Sequence, residues 1–155
     1  MISGSMIRKF GLFLIVVIFA SGCATVPVAQ RERRIESVIG LVNDGDVERL
    51  VELSSVPFIL DQEIIALEGD VLSLWSGLID AGLRFEDADI RRIDPVDSAS
   101  YRKFGDTFEM DVYFQQYLAE DGTVVEIDSD LGGFLLLLGD SRRGFPMIFG
   151  LKGPM

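Results

Sequence analysis

The chain has 155 residues, a length suited to one domain, with 25 Asp+Glu against 14 Lys+Arg and a formal net charge of −11. It holds no His and one Cys, which excludes Ser-His-Asp and Cys-His catalysis, His metal sites, an internal disulfide, a thiolate zinc site and a CxxC redox pair. The acidic balance argues against nucleic acid as a partner, because phosphates need a basic face, and 48% hydrophobic with 25% charged residues marks a globular chain.

Arg8 and Lys9 are the only charges before Arg31, and they precede an apolar run from Phe10 to Ala20. A membrane-spanning helix needs ~20 such residues, whereas ~10–14 is typical of a signal-peptide core. Residues 1–22 are therefore expected to be a targeting segment outside the fold. The signal is complete from Met6, which makes Met6 a second candidate start.

The run ends in Ala20-Ser21-Gly22-Cys23. This resembles the lipobox of bacterial lipoproteins, with Ala20 where the family most often has Leu. The resemblance implies cleavage between Gly22 and Cys23, a diacylglycerol thioether on the Cys23 sulfur and acylation of its new amino group. Each buried CH₂ adds roughly 0.8 kcal/mol, so two or three acyl chains on one residue hold a protein on a bilayer almost permanently. Residue 24 is Ala rather than Asp, which implies sorting to the periplasmic face of the outer membrane in a bacterium with two membranes. In a one-membrane bacterium the same signal leaves the protein on the cell surface. Losing residues 1–22 removes Arg8 and Lys9 and no acid, so the charge moves from −11 to −13. Residues 23–30 are expected to be the lipidated Cys and a tether. Fully extended, Ala24 to Gln30 reach at most ~25 Å.

Residues 31–155 read as one domain. From Arg31 to Asn43 the apolar residues Ile35, Val38, Ile39 and Val42 form the stripe of an amphipathic helix. Asn43-Asp44-Gly45 stops it. Asp46 is the expected N-cap of a second short helix with Val47, Leu50 and Val51 on its apolar side, ending before Pro57. Phe58–Leu60 and Glu63–Leu67 flank Asp61-Gln62 and are expected to be a short hairpin. Asp70 is the expected cap of a third helix reaching Ala81, with Gly82 beyond it. Leu72, Leu74, Trp75, Leu78 and Ile79 make that helix apolar over a wide arc, and it is expected to be the most buried.

Ile90 and Ile93 sit in a charged stretch that reads as an edge-like strand ending at Pro95. Phe108, Met110, Val112 and Phe114 alternate with Glu109, Asp111, Tyr113 and Gln115, the pattern of a half-buried strand. Asp121-Gly122 is the expected turn into the strand Val124–Ile127. Asp128 to Gly133 turns again. Phe134–Leu138, apolar on both faces, is expected to be central, followed by the strand Phe145–Phe149. Gly132, Gly133 and Gly139 are candidates for bends or bulges. The class is α+β: three N-terminal helices with a short hairpin, packed on a curved antiparallel sheet.

This order of elements resembles the nuclear transport factor 2-like superfamily, over roughly residues 31–151. The resemblance implies a cone in which a curved sheet wraps the helices and leaves a cavity at its open end. Ketosteroid isomerase and scytalone dehydratase resemble each other in this fold and work through cavity Asp, Tyr or His residues. Here there is no His, and the first helix carries no Tyr, so no family catalytic residue is carried over. Asp61, Asp111 and Asp128 remain as carboxylates near strands that would act as bases only if buried with a raised pKa. Otherwise Asp61 and Asp128 are turn residues, and Asp111 belongs to a wet strand face.

Asp128-Ser129-Asp130 starts like a calcium loop, but the positions needing an oxygen ligand and a Glu hold Gly132 and Gly139. A turn is expected, with no metal and no cofactor. Arg31, Arg33 and Arg34 lie beside the tether, interleaved with Glu32 and Glu36. They are candidates for contact with lipid phosphates, or a solvated helix face. Trp75, Phe108 and Met110 are the candidate residues of a ligand cavity, with Phe114 and Phe134 alongside them, although residues of this kind are more often plain core. Exposed members among Tyr101, Phe104, Tyr113 and Tyr117 would mark a partner surface. The sequence therefore leads to the expectation of a membrane-anchored envelope lipoprotein. Its non-catalytic domain would bind an envelope protein or a small apolar ligand, the alternative being a lyase or isomerase using a carboxylate such as Asp111.

Overall fold

The computed structural model describes residues 28–118, 122–142 and 144–155. The expected signal segment, the cleavage at Gly22 and the lipidated Cys23 lie outside the described residues, as does Asp121. Among the described residues no helix is long and apolar enough to cross a membrane.

Helix α1 spans Val28–Asp44 and starts inside the stretch assigned to the tether. Ile35, Val38 and Val42 are buried along one face, as the stripe requires. Gly45, at φ 68°, lets the chain reverse where a side chain would be strained. Asp46 then caps α2 (Val47–Leu53), its carboxylate accepting from the Arg49 N–H at 3.1 Å.

Strand β1 (Ser54–Leu60) turns at Asp61, whose φ is 54°, into β2 (Glu63–Ile65), with Phe58 opposite Ile65. The hairpin is where the sequence put it. Helix α3 spans Glu68–Asp80. Asp70 does not cap it: Leu67 occupies that position with no side-chain bond, and Asp70 lies in the first turn. There its charge favours the helix dipole instead. Nor is α3 the most buried helix. Only Val71 and Trp75 are buried, and Leu72 is 47% exposed.

Strand β3 (Asp89–Pro95) leads to a 3-10 turn, Ser100–Lys103, and then to helix α4, Phe108–Tyr117. The alternating segment 108–115 is thus a helix, not a strand. The Thr107 hydroxyl caps it, accepting from the Met110 N–H at 3.2 Å, and Glu109 and Asp111 lie in its first turn. Burial follows the helical period: Met110, Tyr113 and Phe114 are inside, while Phe108 and Val112 are outside. With no strand before it, Gly122 makes no hairpin, and its carbonyl instead accepts from the Val96 N–H at 2.8 Å.

Strands β4 (Thr123–Ser129), β5 (Gly132–Arg142) and β6 (Phe145–Lys152) complete an open sheet ordered β2-β1-β6-β5-β4-β3. It is mixed rather than antiparallel, because β1 runs parallel to β6. Gly150 allows this pairing at close range: a Cβ there would lie 2.8 Å from the Cβ of Ile59. Strand β5 is central, with Phe134 through Leu138 all buried. Register shifts fall on both sides of Leu138 against β6, beside Gly139, which faces the Phe149 ring.

The alternation along β4 and β5 divides the interior into two cores. Val125, Ile127, Phe134, Leu136 and Leu138 face α1, α2 and α3. Val124, Leu135 and Leu137 face the 3-10 turn and α4, with Ile59, Phe104, Met110, Tyr113 and Phe114. The sheet therefore carries helices on both faces, a layered α+β arrangement.

Candidate functional site

Helix α4 is pinned to the sheet by its inner side. Tyr113 donates its hydroxyl proton to the Pro57 carbonyl at 2.7 Å, with the Phe149 carbonyl 3.2 Å away. Burial pushes the phenol well above its ordinary pKa. It remains a protonated donor through the neutral range, a structural role.

The outer side of α4 carries apolar surface. Phe108 is 77% exposed, and Val112 and Tyr117 are also exposed. Across from them Ile64 of β2 and Pro57 of β1 complete a groove of about 340 Å³, which Glu109 also lines. Exposed Glu63 and Asp106 lie on the neighbouring segments. An exposed apolar surface of this kind suits association.

Other clefts among the described residues hold charged side chains. One of about 350 Å³ lies over β4 and the 3-10 turn, beside Lys103, Glu126 and Asp128. Lys103 donates to Asp94 at 3.0 Å and to Glu126 at 2.9 Å, and Arg91 pairs with Asp128. Burial alone would lower the Lys103 ammonium, but its bonds to Glu126 and Asp94 outweigh this and hold it above the usual lysine value. A second cleft of about 260 Å³ includes Asp97, Tyr101 and Asp111. Asp97 accepts from the Ala99 N–H and from the Ser100 hydroxyl, each at 2.9 Å, and these bonds hold its carboxyl below the ordinary value. A third, also about 260 Å³, lies between α1 and the β5–β6 turn and is lined by Arg33 and Arg34.

The structure does not bring the cavity candidates together. Trp75 lies in the core beneath α1–α3, Met110 in the core beneath α4, and Phe108 in solvent. Phe134 shares the core of Trp75, and Phe114 that of Met110. The three carboxylates are engaged elsewhere. Asp61 accepts from the Gly153 N–H at 3.0 Å, Asp111 from the Gln115 amide at 3.0 Å, and Asp128 pairs with Arg91. The expected turn over 128–133 is narrower: Asp128 and Ser129 pair in the sheet with Gly133 and Gly132, and Asp130-Leu131 alone makes the turn. No cluster of three or more metal-ligating side chains occurs among the described residues. Among the aromatic candidates, Phe104 and Tyr113 are buried and Tyr117 is exposed.

Ile64 and Val112 were not singled out by the sequence as surface residues. The available signal was Thr107 followed by Met110, Tyr113, Phe114 and Tyr117 at helical spacing, which turns Phe108 and Val112 outward. No protein-family model matches the chain, and no curated protein matches it either.

Proposed function

We propose that the protein is a bacterial envelope lipoprotein, anchored through Cys23, whose domain is a non-catalytic binding module. Its occupant is a protein segment, held in the groove between α4 and the β1–β2 hairpin. One observation carries this reading: a helix firmly packed on one side leaves Phe108, Val112 and Tyr117 bare on the other, opposite Ile64. Surface of this kind is what a partner covers. Glu109, which lines the groove, favours a segment with apolar anchors and a basic flank. The finer fold reading, a cone of the nuclear transport factor 2-like kind, is supported by the order helix, helix, hairpin, helix, strand. The inserted α4 is a departure from it that supplies the groove.

The anchor is tested by metabolic labelling with a fatty acid, which Cys23→Ser must abolish. The groove is tested by photo-cross-linking from position 112 in intact cells, followed by titration of the captured partner, once purified, against the wild-type protein and Val112→Asp. Truncating a hot-spot residue at the centre of an interface weakens binding by more than about tenfold, and burying a charge at position 112 is expected to do no less. Unchanged affinity in Val112→Asp would remove the groove from the account.

A further inference from the structure

The cleft between α1 and the β5–β6 turn has a property the apolar groove does not share. Among the described residues, no carboxylate forms an ion pair with Arg31, Arg33 or Arg34. Arg33 only donates back to the Ala29 carbonyl, at 3.1 Å. The other described basic side chains are engaged. Arg49 pairs with Glu52, Arg91 with Asp128, Arg92 and Lys103 with Asp94 and Glu126, and Arg102 with Asp106. Arg84 and Lys152 donate to backbone carbonyls. In a chain with such an excess of acid, unpaired guanidinium groups gathered in one place are an anion site in waiting.

The cleft that Arg33 and Arg34 line offers donors to an anion. Arg33 and Arg34 supply planar donors that match phosphate oxygens, and Gln30 adds an amide donor. Ser37, Gly144 and Phe145 form the rest of the lining, and the Arg49 guanidinium covers the Phe145 ring at 4.9 Å from its centroid. The cleft also lies near the anchor. Only four residues separate Cys23 from the start of α1 at Val28, a reach of at most ~18 Å.

We propose that this cleft receives the phosphate of an anionic lipid headgroup and so fixes how the domain stands on its membrane. The proposal rests on the anchor reading given above. With the Arg cleft against the bilayer, the remaining, strongly acidic surface turns away from lipid that would repel it. The α4 groove, on the opposite face of the sheet, then opens toward the aqueous compartment and a partner.

The test uses the lipidated protein in vesicles of phosphatidylcholine alone or mixed with phosphatidylglycerol, followed by amide hydrogen exchange. Protection over residues 28–37 and the β5–β6 turn is expected to rise with phosphatidylglycerol, while α4 is unchanged. Each arginine near an anionic surface strengthens contact by roughly fivefold, so the pair Arg33→Gln and Arg34→Gln lowers the gain by roughly 25-fold. The pair Arg33→Glu and Arg34→Glu abolishes it. Equal exchange in both vesicle types, or a gain that survives the double substitutions, overturns the proposal. Inorganic phosphate giving the same protection on phosphatidylcholine vesicles overturns the headgroup assignment. Failure to float with either vesicle type, with a bare Cys23 thiol by mass, refutes the anchor and the contact together. Flotation with unchanged exchange refutes the contact alone.

Discussion

Ser54→Ala is the sharpest probe of the larger core. Ser54 closes α2, and its hydroxyl joins two elements: it accepts from the Trp75 indole N–H at 2.9 Å and donates to the Leu50 carbonyl at 2.8 Å. Trp75 is fully buried, with its ring edge-on to Phe58 at 6.0 Å. Removing the hydroxyl strands a buried N–H, since no other acceptor lies within hydrogen-bond reach of it among the described residues. Leaving such a donor unpaired costs ~1–3 kcal/mol, and we expect about 2 kcal/mol here. For a domain of this size that lowers Tm by roughly 6–10 °C. Urea unfolding of the wild type and variant should give a lower midpoint with an unchanged slope. Trp75→Phe removes the donor as well as packing, so the double variant should cost about 1 kcal/mol less than the sum of the singles. A loss in Ser54→Ala below about 0.5 kcal/mol, or strict additivity in the cycle, would refute the claim that this bond joins α2 to α3.

Two further outcomes follow from the other core and the sheet. Tyr113 and Lys103 both have folded pKa values above their unfolded ones, so the folded state keeps protons that the unfolded chain releases. Their contribution to stability should be constant up to about pH 10 and fall as the pH rises further. Tyr113→Phe should flatten part of that alkaline decline, and a decline as steep as wild type would exclude Tyr113 as its source. Gly150→Ala should destabilise by about 2 kcal/mol through overpacking against Ile59, read as a lower urea midpoint; a neutral substitution would mean that β1 and β6 separate easily.

Where local chemistry decides the structure, the sequence was informative. The stripe of Ile35, Val38 and Val42 and the cap at Asp46 gave α1 and α2. The apolar run at Phe134–Leu138 gave the central strand, because only a strand covered on both faces is apolar without alternation. The segment 108–115 misled because Phe108, Met110, Val112 and Phe114 satisfy a period of two while Met110, Tyr113, Phe114 and Tyr117 satisfy 3.6. Thr107 and the acids of the first turn settle the matter for the helix, and that error hid the groove. The parallel pairing of β1 with β6 leaves no local trace at all, since it depends on a glycine far along the chain approaching Ile59. The candidate cavity residues lie apart for a related reason: Trp75 and Met110 both read as apolar, but nothing local says on which face of a sheet a residue will fall.

That parallel pairing also imposes a timetable. Ser54 finds its neighbour only in Ile148, 94 residues further along the chain. Until the last strand is synthesised and delivered, the early hairpin has no neighbour on one flank and β5 has none on one of its own. Pairings between such distant segments form slowly. During that interval the unfinished sheet exposes two adhesive borders at once, each open to pairing with another chain until β6 slides into the gap.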